Sequence, residues 1–188
     1  MLMAKNVTRQ GEEMLDLFSN EFLNHRRIRL TGPIDDAMYE RIASAIQYLD
    51  AINHQDIEIV INSPGGSVSA GLAIYDAMKA AKSDIRSICI GEAASMGALL
   101  VACGGTKGKR EIYPSAEMMI HQPLGGVSGQ ASDVQLTALH ITKVKKKLVE
   151  LLAEATNKSV KKVNQDIDRD LWLDAEEALA YGLVDIIR

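Results

Sequence analysis

The stretch DIEIVINSPGGSVSAGLAIYDAMKAAKSDIRSICIG, residues 56–91, decides the fold. Its two ends are rich in β-branched residues, as buried strands are, and its middle repeats apolar residues at helical spacing. A strand, a helix and a further strand in succession form a βαβ unit, whose two strands run parallel. The stretch therefore predicts an α/β protein built on a mostly parallel sheet.

The alternation of strands and helices continues on both sides of this stretch. The spacing of apolar residues predicts helices over 12–25, 93–103, 131–155 and 174–181. A further helix, with Asp35 or Asp36 as N-cap, is predicted from the apolar positions Met38, Ile42, Ile46, Leu49 and Ile52. Short strands are predicted over 27–30, 109–113, 117–120 and 183–187. We expect a polar, mobile segment over residues 1–10 and a single domain over 11–188.

Composition excludes several classes of function. The chain has 188 residues, a net charge of −4 and only 4% aromatic residues, which argues against a nucleic-acid partner. No apolar run is long enough for a membrane span, and the N-terminus does not resemble a signal peptide. Cys89 and Cys103 lie singly in apolar runs, and no spacing matches a metal site. We expect a cytoplasmic protein with reduced cysteines, without a metal and without a membrane partner.

The predicted helix over 131–155 is unusually long for a chain of this size. At about 1.5 Å per residue it measures about 37 Å, and apolar residues lie on more than one of its faces. Such a helix favours projection from the body and packing on a second subunit, although a central helix within one globule is the alternative. Its basic run, Lys143, Lys145, Lys146 and Lys147, is predicted to be solvated.

Two small-residue turns could carry chemistry. In GEAASMG (91–97), Ser95 follows a strand and opens a helix, as in a nucleophile elbow, although an ordinary N-capping serine fits the same letters. In SPGGS (63–67), two glycines could offer backbone N–H groups to an anion, although a plain turn is the alternative.

Of four histidines, His121 is the best candidate base because it ends a strand before a glycine-rich segment. The acidic cluster of Asp166, Asp168 and Asp170 does not reveal a partner by spacing.

Five stretches together resemble the family of Clp protease proteolytic subunits, ClpP. They are INSPGGSV (61–68), IGEAASMGALL (90–100), KGKR with MIHQPLGG (107–110 and 119–126), DRD (168–170) and AYGLVD (180–185). The likeness is collinear from about residue 28 to the C-terminus.

The resemblance implies a serine peptidase of family S14 with a crotonase-like fold. It implies Ser95 as the nucleophile, His121 as the general base, Asp170 as the group that orients the imidazole, and the N–H groups of Gly66 and Met96 as oxyanion donors. A substrate strand is then expected along Gly65, Ser67, Val68, Leu124, Gly125 and Gly126.

The resemblance also implies an assembly of two stacked heptameric rings around a chamber. The segment about 122–156 would be the handle between the rings, with Asp168 and Arg169 at the ring–ring contact. The partners would be further copies of the chain, a Clp-family AAA+ ATPase unfoldase and unfolded protein substrates. No cofactor is expected in this subunit, since ATP is used by the ATPase.

The sequence departs from the family at the surface where the ATPase docks. Family members often carry aromatic residues at positions that here hold Glu58, Val60 and Glu111. These residues predict a more acidic and less apolar docking surface, with weaker binding of a homomeric ring to an unfoldase. The alternative function is therefore a specialised paralogue that acts mainly as a structural or regulatory partner of a second ClpP-type subunit.

A third reading, an acyl-CoA-transforming relative with the crotonase fold, ranks last, because such an enzyme has no use for Ser95, His121 and Asp170 together. Compared with many family members, Gly104-Gly105 lengthens the interval between Ser95 and His121 by one residue, which predicts a change in a loop.

Overall fold

The computed structural model describes residues 3–8 and 11–188. Its main sheet has seven strands, and five of them, all parallel, are adjacent in the order β3, β4, β5, β6, β9. These strands are β3 (Arg27–Thr31), β4 (Ile57–Ser63), β5 (Ile85–Ala94), β6 (Arg110–Ile112) and β9 (Ile186–Ile187). The predicted α/β fold with a mostly parallel sheet is confirmed.

Strand β5 bends, so that its two halves pair with different strands of the sheet. Its first half pairs with β6 through Ser87–Cys89, and its second half pairs with β7 (Glu117–Ile120) through Glu92–Ala94. Gly91 lies between the halves at φ +69°, in the left-handed region that glycine adopts readily. The antiparallel strand β8 (Leu171–Leu173) continues from β7. The bend thus carries the end of β5 away from β6 and brings β7 and β8 beside it.

Helices α2 (Asp36–Ile52) and α3 (Val68–Ala80) pack together and supply buried aliphatic side chains to the core. Asp35 caps α2 by accepting a hydrogen bond from Met38 N. The remaining helices are α1 (Leu17–His25), α4 (Met96–Leu99), α5 (Ala131–Thr156), α6 (Val160–Asp166) and α7 (Ala175–Tyr181). No helix in 3–8 or 11–188 is long and apolar enough to cross a membrane.

The N-terminal region differs from its prediction. Strand β1 (Met3–Thr8) and strand β2 (Gly11–Asp16) form an antiparallel hairpin, so the helix predicted over 12–25 begins only at Leu17, after the Asp16 N-cap. Cross-strand contacts favour the hairpin: Lys5 Nζ lies 2.7 Å from Glu12 Oε1, and Asn6 donates to Glu13. Of the segment predicted to be mobile, residues 1, 2, 9 and 10 lie outside the described residues.

The residues after Ser95 form two kinds of helical turn. The α-helical turns of α4 lead directly into a π-helical segment, Leu100–Gly104. An extra residue in a helix is typically absorbed as such a π segment. A Cβ on Gly104 would lie 2.5 Å from Met78 Cε, and one on Gly105 would lie 2.1 Å from Ser87 Oγ. Gly104 and Gly105 therefore lie buried at the end of this helical segment, not in an exposed loop.

Helix α5 has the predicted length but an uneven environment. It spans 26 residues, and its buried residues all lie in the C-terminal third: Leu148, Val149, Leu152, Ala153 and Thr156. Towards its N-terminus, Leu136 and Leu139 are 66% and 61% exposed. The helix is thus anchored at one end and presents apolar side chains to the outside at the other.

Candidate active site

Ser95 lies at a sharp turn between β5 and α4. Its backbone has φ 55° and ψ −120°, a strained conformation for a residue with a side chain. The turn is fixed on both sides, because Ser95 N–H donates to Met119 O (2.8 Å) and Ser95 C=O accepts from Leu99 N–H (3.1 Å). A strand–serine–helix turn of this kind holds the hydroxyl at the carboxyl end of the sheet, as in a nucleophile elbow.

The structure brings His121 and Asp170 to this serine. Ser95 Oγ lies 2.9 Å from His121 Nε2, and His121 Nδ1 lies 3.2 Å from Asp170 Oδ1. His121 directly follows β7, and Asp170 directly precedes β8. Because the register of these strands sets Ile120 opposite Leu171, the histidine and the aspartate become neighbours. That register selects Asp170 from the three aspartates that spacing alone could not separate.

The partners of the imidazole decide its tautomer. An ionised carboxylate only accepts hydrogen bonds, so Nδ1 carries the proton toward Asp170. Nε2 then has its lone pair free to accept the Ser95 hydroxyl proton. The imidazole side chain is 13% exposed, whereas that of Asp170 is 61% exposed. The arrangement has the connectivity needed for a base to activate a serine hydroxyl.

The glycine turn after β4 lies directly against Ser95. A Cβ on Gly65 would lie 2.7 Å from Ser95 Cβ and 3.1 Å from Met96 N, so no side chain fits there. A Cβ on Gly66 would lie 2.2 Å from Ile34 O. Ile34 N–H donates to Gly65 O, and Ser67 N–H donates to Ile34 O. Within the described residues the structure records no hydrogen bond from the N–H of Gly66 or of Met96, so neither donor has a recorded partner.

The chain belongs to the Clp protease family. The sequence model of that family, described as Clp protease, matches residues 9–188. The match spans both glycine-lined turns, the histidine and the aspartate. A Clp protease is a peptidase, and the family assembles as oligomers that work with Clp ATPases.

A small apolar cavity adjoins the serine in this family member. Its walls combine Val68 and Met96, which the sequence analysis placed in the site, with side chains that it missed: Leu99, Ile120, Pro123, Leu148 and Leu152. The apolar positions of α5 were recognised, but only the folded chain shows that Leu148 and Leu152 turn toward Ser95. The larger cavity, about 470 Å³ between α1, β3 and α2, lies away from these residues.

The other predicted binding residues are less closely grouped. The side chain of Ser67 caps α3, accepting from Ala70 N–H at 3.3 Å. Leu124 is 84% exposed, while Gly125 lies against Ile141 of α5, where a Cβ would be 2.6 Å from Ile141 Cδ1. Gly126 has open space around its Cα. Asp168 and Arg169 are exposed beside Asp170, on the surface expected to meet a second ring.

Two of the positions predicted for ATPase docking, Glu58 and Glu111, lie in a charged ladder, defined as Arg27, Glu58, Arg86, Glu111 and Arg188. Arg27 Nη2 lies 2.7 Å from Glu58, Arg86 lies 3.6 Å from Glu58 and 3.3 Å from Glu111, and Arg188 pairs with Glu111. Val60 lies on the same sheet face, since it is opposite Ile88, which is opposite Glu111. The surface is less apolar than aromatic residues would make it, but arginines offset the acidity that the sequence predicted.

The two cysteines do not compete with Ser95 as nucleophiles. Burial raises the pKa of the Cys89 and Cys103 thiols to about 12 each, so both stay protonated near neutral pH. Both are free. Within residues 3–8 and 11–188, no cluster of three or more His, Cys, Asp or Glu side chains could hold a metal ion.

Proposed function

We propose that this Clp protease family member is a serine endopeptidase that cleaves unfolded proteins and peptides. The observation that carries the proposal is the hydrogen-bond chain from Ser95 Oγ through His121 to Asp170. His121 takes the Ser95 proton as Oγ attacks the peptide carbonyl, and then gives that proton to the leaving amine. Water hydrolyses the resulting acyl-enzyme with His121 as base, which frees the serine.

The oxyanion of each tetrahedral intermediate would be bound by the Gly66 and Met96 N–H groups. Support comes from the contact of the Gly65–Gly66 turn with Ser95 and from the two donors, which have no recorded partner within the described residues. Preorganised donors of this kind stabilise the charge that develops in the transition state. The substrate would lie as an added strand between Gly65–Val68 and Leu124–Gly126, with its amide N–H and C=O groups paired to the backbone.

We further propose that the active form is a pair of stacked heptameric rings that enclose the site. Two exposed apolar regions support an assembly of copies of this chain. Helix α1 has no buried residue and leaves Phe18 71% exposed, and α5 exposes Leu136 and Leu139. A Clp-family AAA+ ATPase would deliver unfolded protein. The subunit itself would need no cofactor, and its cytoplasmic location stays a prediction.

The charged ladder favours a second candidate function, that of a specialised paralogue which works in rings beside another ClpP-type subunit. Ion pairs must be desolvated before an apolar loop can cover them, which makes docking of such a loop costly. Degradation of a folded substrate by the homomeric assembly with an unfoldase distinguishes the two functions. Efficient degradation supports the first candidate, and degradation that appears only after addition of a second subunit type supports the other.

Hydrolysis of a short fluorogenic peptide by the parent protein and by Ser95→Ala tests the proposed chemistry. Removing the nucleophile of a serine triad lowers kcat on the order of a million-fold. We expect Ser95→Ala to assemble like the parent and to lose all measurable hydrolysis. Retention of more than about a few per cent of activity in a clean preparation would refute Ser95 as the nucleophile.

A further inference from the structure

Gln122, the residue after His121, joins helix α5 to the segment that carries Asp170. Its backbone N–H donates to Ile167 O at 2.8 Å. Its side-chain Nε2 donates to Asp168 O at 3.0 Å, and its Oε1 accepts from Lys145 Nζ at 2.9 Å. The sequence predicted Lys145 to be solvated with the rest of its basic run. That prediction is wrong, since Lys145 is half-buried and bonded to Gln122.

The chemistry of the two partners fixes the orientation of the Gln122 amide. A lysine ammonium has only donors, and a backbone carbonyl has only acceptor capacity. The amide oxygen must therefore face Lys145 and the amide nitrogen must face Asp168. Because both ends are matched, the side chain is held in one orientation across the gap between helix and segment.

The position of the Asp170 carboxylate is set mainly by the backbone segment that carries it. Its carboxylate is 61% exposed and is joined to His121 by one hydrogen bond of 3.2 Å. On its own side, the segment before it is held by Ile167 N–H, which donates to Val163 O at 3.0 Å, and by the longer bond from Asp168 N–H to Gln165 O at 3.4 Å. The two hydrogen bonds that Gln122 donates to Ile167 and Asp168 are shorter than that one.

We propose that Gln122 is a positioning residue for the His121–Asp170 pair and that Lys145 supports it from α5. The inference rests on the proposed serine chemistry. Gln122 does not contact the reacting atoms; it acts by holding the Asp170 segment against the end of β7.

Peptide-hydrolysis kinetics of the assembled protein test this role with variants Gln122→Met, Lys145→Met, Lys145→Arg and Lys147→Met. Gln122→Met keeps the side-chain length but removes the side-chain hydrogen bonds to both partners. Since misplacement of a catalytic group by about 1 Å can cost a hundredfold, we expect kcat to fall about 10- to 100-fold with KM changed less than about twofold. Lys145→Met should lower kcat by less, and Lys145→Arg should restore it.

The double variant sharpens the test. If Gln122 and Lys145 act as one unit, Gln122→Met with Lys145→Met should be no slower than Gln122→Met alone. Lys147→Met is the matched control, because Lys147 is exposed on the same helix and should leave kcat unchanged. Equal losses in Lys145→Met and Lys147→Met would overturn the proposal in favour of a general charge effect.

Failure of the inference and failure of the proposed function give different results. An active parent with an equally active, assembled Gln122→Met refutes the positioning role alone. A folded, assembled parent without hydrolysis refutes the serine chemistry. If Gln122→Met does not assemble, Lys145→Met against Lys145→Arg decides: loss in the first with recovery in the other supports the role, and equal kcat in both refutes it.

Discussion

Two clusters of polar groups, one around Arg110 and one around Ser95, differ in how many of their hydrogen-bonding groups have partners. Around Arg110, which is 3% exposed, the guanidinium donates to Asp185 through Nε (2.8 Å) and Nη2 (2.5 Å), and to the carbonyls of Ala102 and Ala155. Around Ser95, the N–H groups of Gly66 and Met96 have no recorded hydrogen-bond partner within 3–8 and 11–188, and Asp170 is largely exposed. The saturated, buried cluster stabilises the fold, whereas the incompletely satisfied one fits the substrate-binding role that we propose for it.

The pKa of Asp185 reflects this saturation. Burial by itself raises the pKa of that carboxyl, but the hydrogen bonds and charge of Arg110 and the N–H groups of Arg110 and Gly108 lower it below its ordinary value overall. The residues of this cluster come from KGKR (107–110) and AYGLVD (180–185), two of the stretches that carry the family resemblance. Their shared role is the joining of β6 to the C-terminal strand.

Asp170→Asn should have the largest effect on the Ser95 side of the comparison. An amide can present a donor to Nδ1 and so favour the wrong imidazole tautomer, and the corresponding change in a serine triad lowers kcat about 10⁴-fold. Steady-state hydrolysis of a fluorogenic peptide, with assembly checked by light scattering, measures it. Asp166→Asn removes a carboxylate that bonds Tyr181 instead of His121, and should leave kcat nearly unchanged. A loss of less than about tenfold in Asp170→Asn would contradict the role of Asp170.

Arg110→Met should act on stability instead of rate. Removing one partner of a buried ion pair costs about 3–5 kcal/mol, because the other charge stays buried without a partner. Thermal and denaturant unfolding measure the loss. Adding Asp185→Leu should recover part of it, and the exposed Lys107→Met is the control. A clear fall in kcat per active site, with unfolding unchanged, would break the division between the two clusters.

The charged ladder should give the smallest effect on peptide hydrolysis. Replacing its two glutamates and the neighbouring Val60 by Glu58→Tyr, Val60→Tyr and Glu111→Phe adds apolar area at the predicted docking surface, where an aromatic side chain buries about 150–250 Å². We expect unfoldase-dependent degradation to rise while small-peptide hydrolysis stays the same. Glu58→Gln with Glu111→Gln separates the loss of ion pairs from the gain of aromatic rings. Efficient degradation of folded substrates by the parent ring with an ATPase would refute the docking argument.

Patterns in the local sequence correctly predicted helices whose formation depends mainly on residues close together in the chain. The helical spacing from Met38 to Ile52 and over 131–155 reports short-range constraints, and the structure confirms both helices. The helix predicted over 93–103 is wrong at its start, because Ala93 and Ala94 belong to β5. The β1–β2 hairpin was missed because it depends on cross-strand pairs such as Lys5 with Glu12. The π segment at Leu100–Gly104 was missed because contacts between Gly104 and Met78 help to fix it.

The site could be predicted only in part for the same reason. The local sequence identifies Ser95 and His121 as candidate catalytic residues, but the choice of Asp170 over Asp166 depends on the register of β7 with β8. The bond from Lys145 to Gln122 joins residues 23 apart and has no local signature. The family resemblance supplied the choice of Asp170 as an expectation but not the bond from Lys145 to Gln122, and the physical reasons for both lie in the folded chain.

Labelling with a fluorophosphonate probe tests the central claim most directly. Such a probe reacts with a serine only when a base activates its hydroxyl, and mass spectrometry locates the adduct. The account predicts one labelled residue, Ser95, in the assembled parent, and no adduct in Ser95→Ala or His121→Ala of the same size in solution. An adduct on another residue, or an unlabelled parent that is folded and assembled, would contradict it.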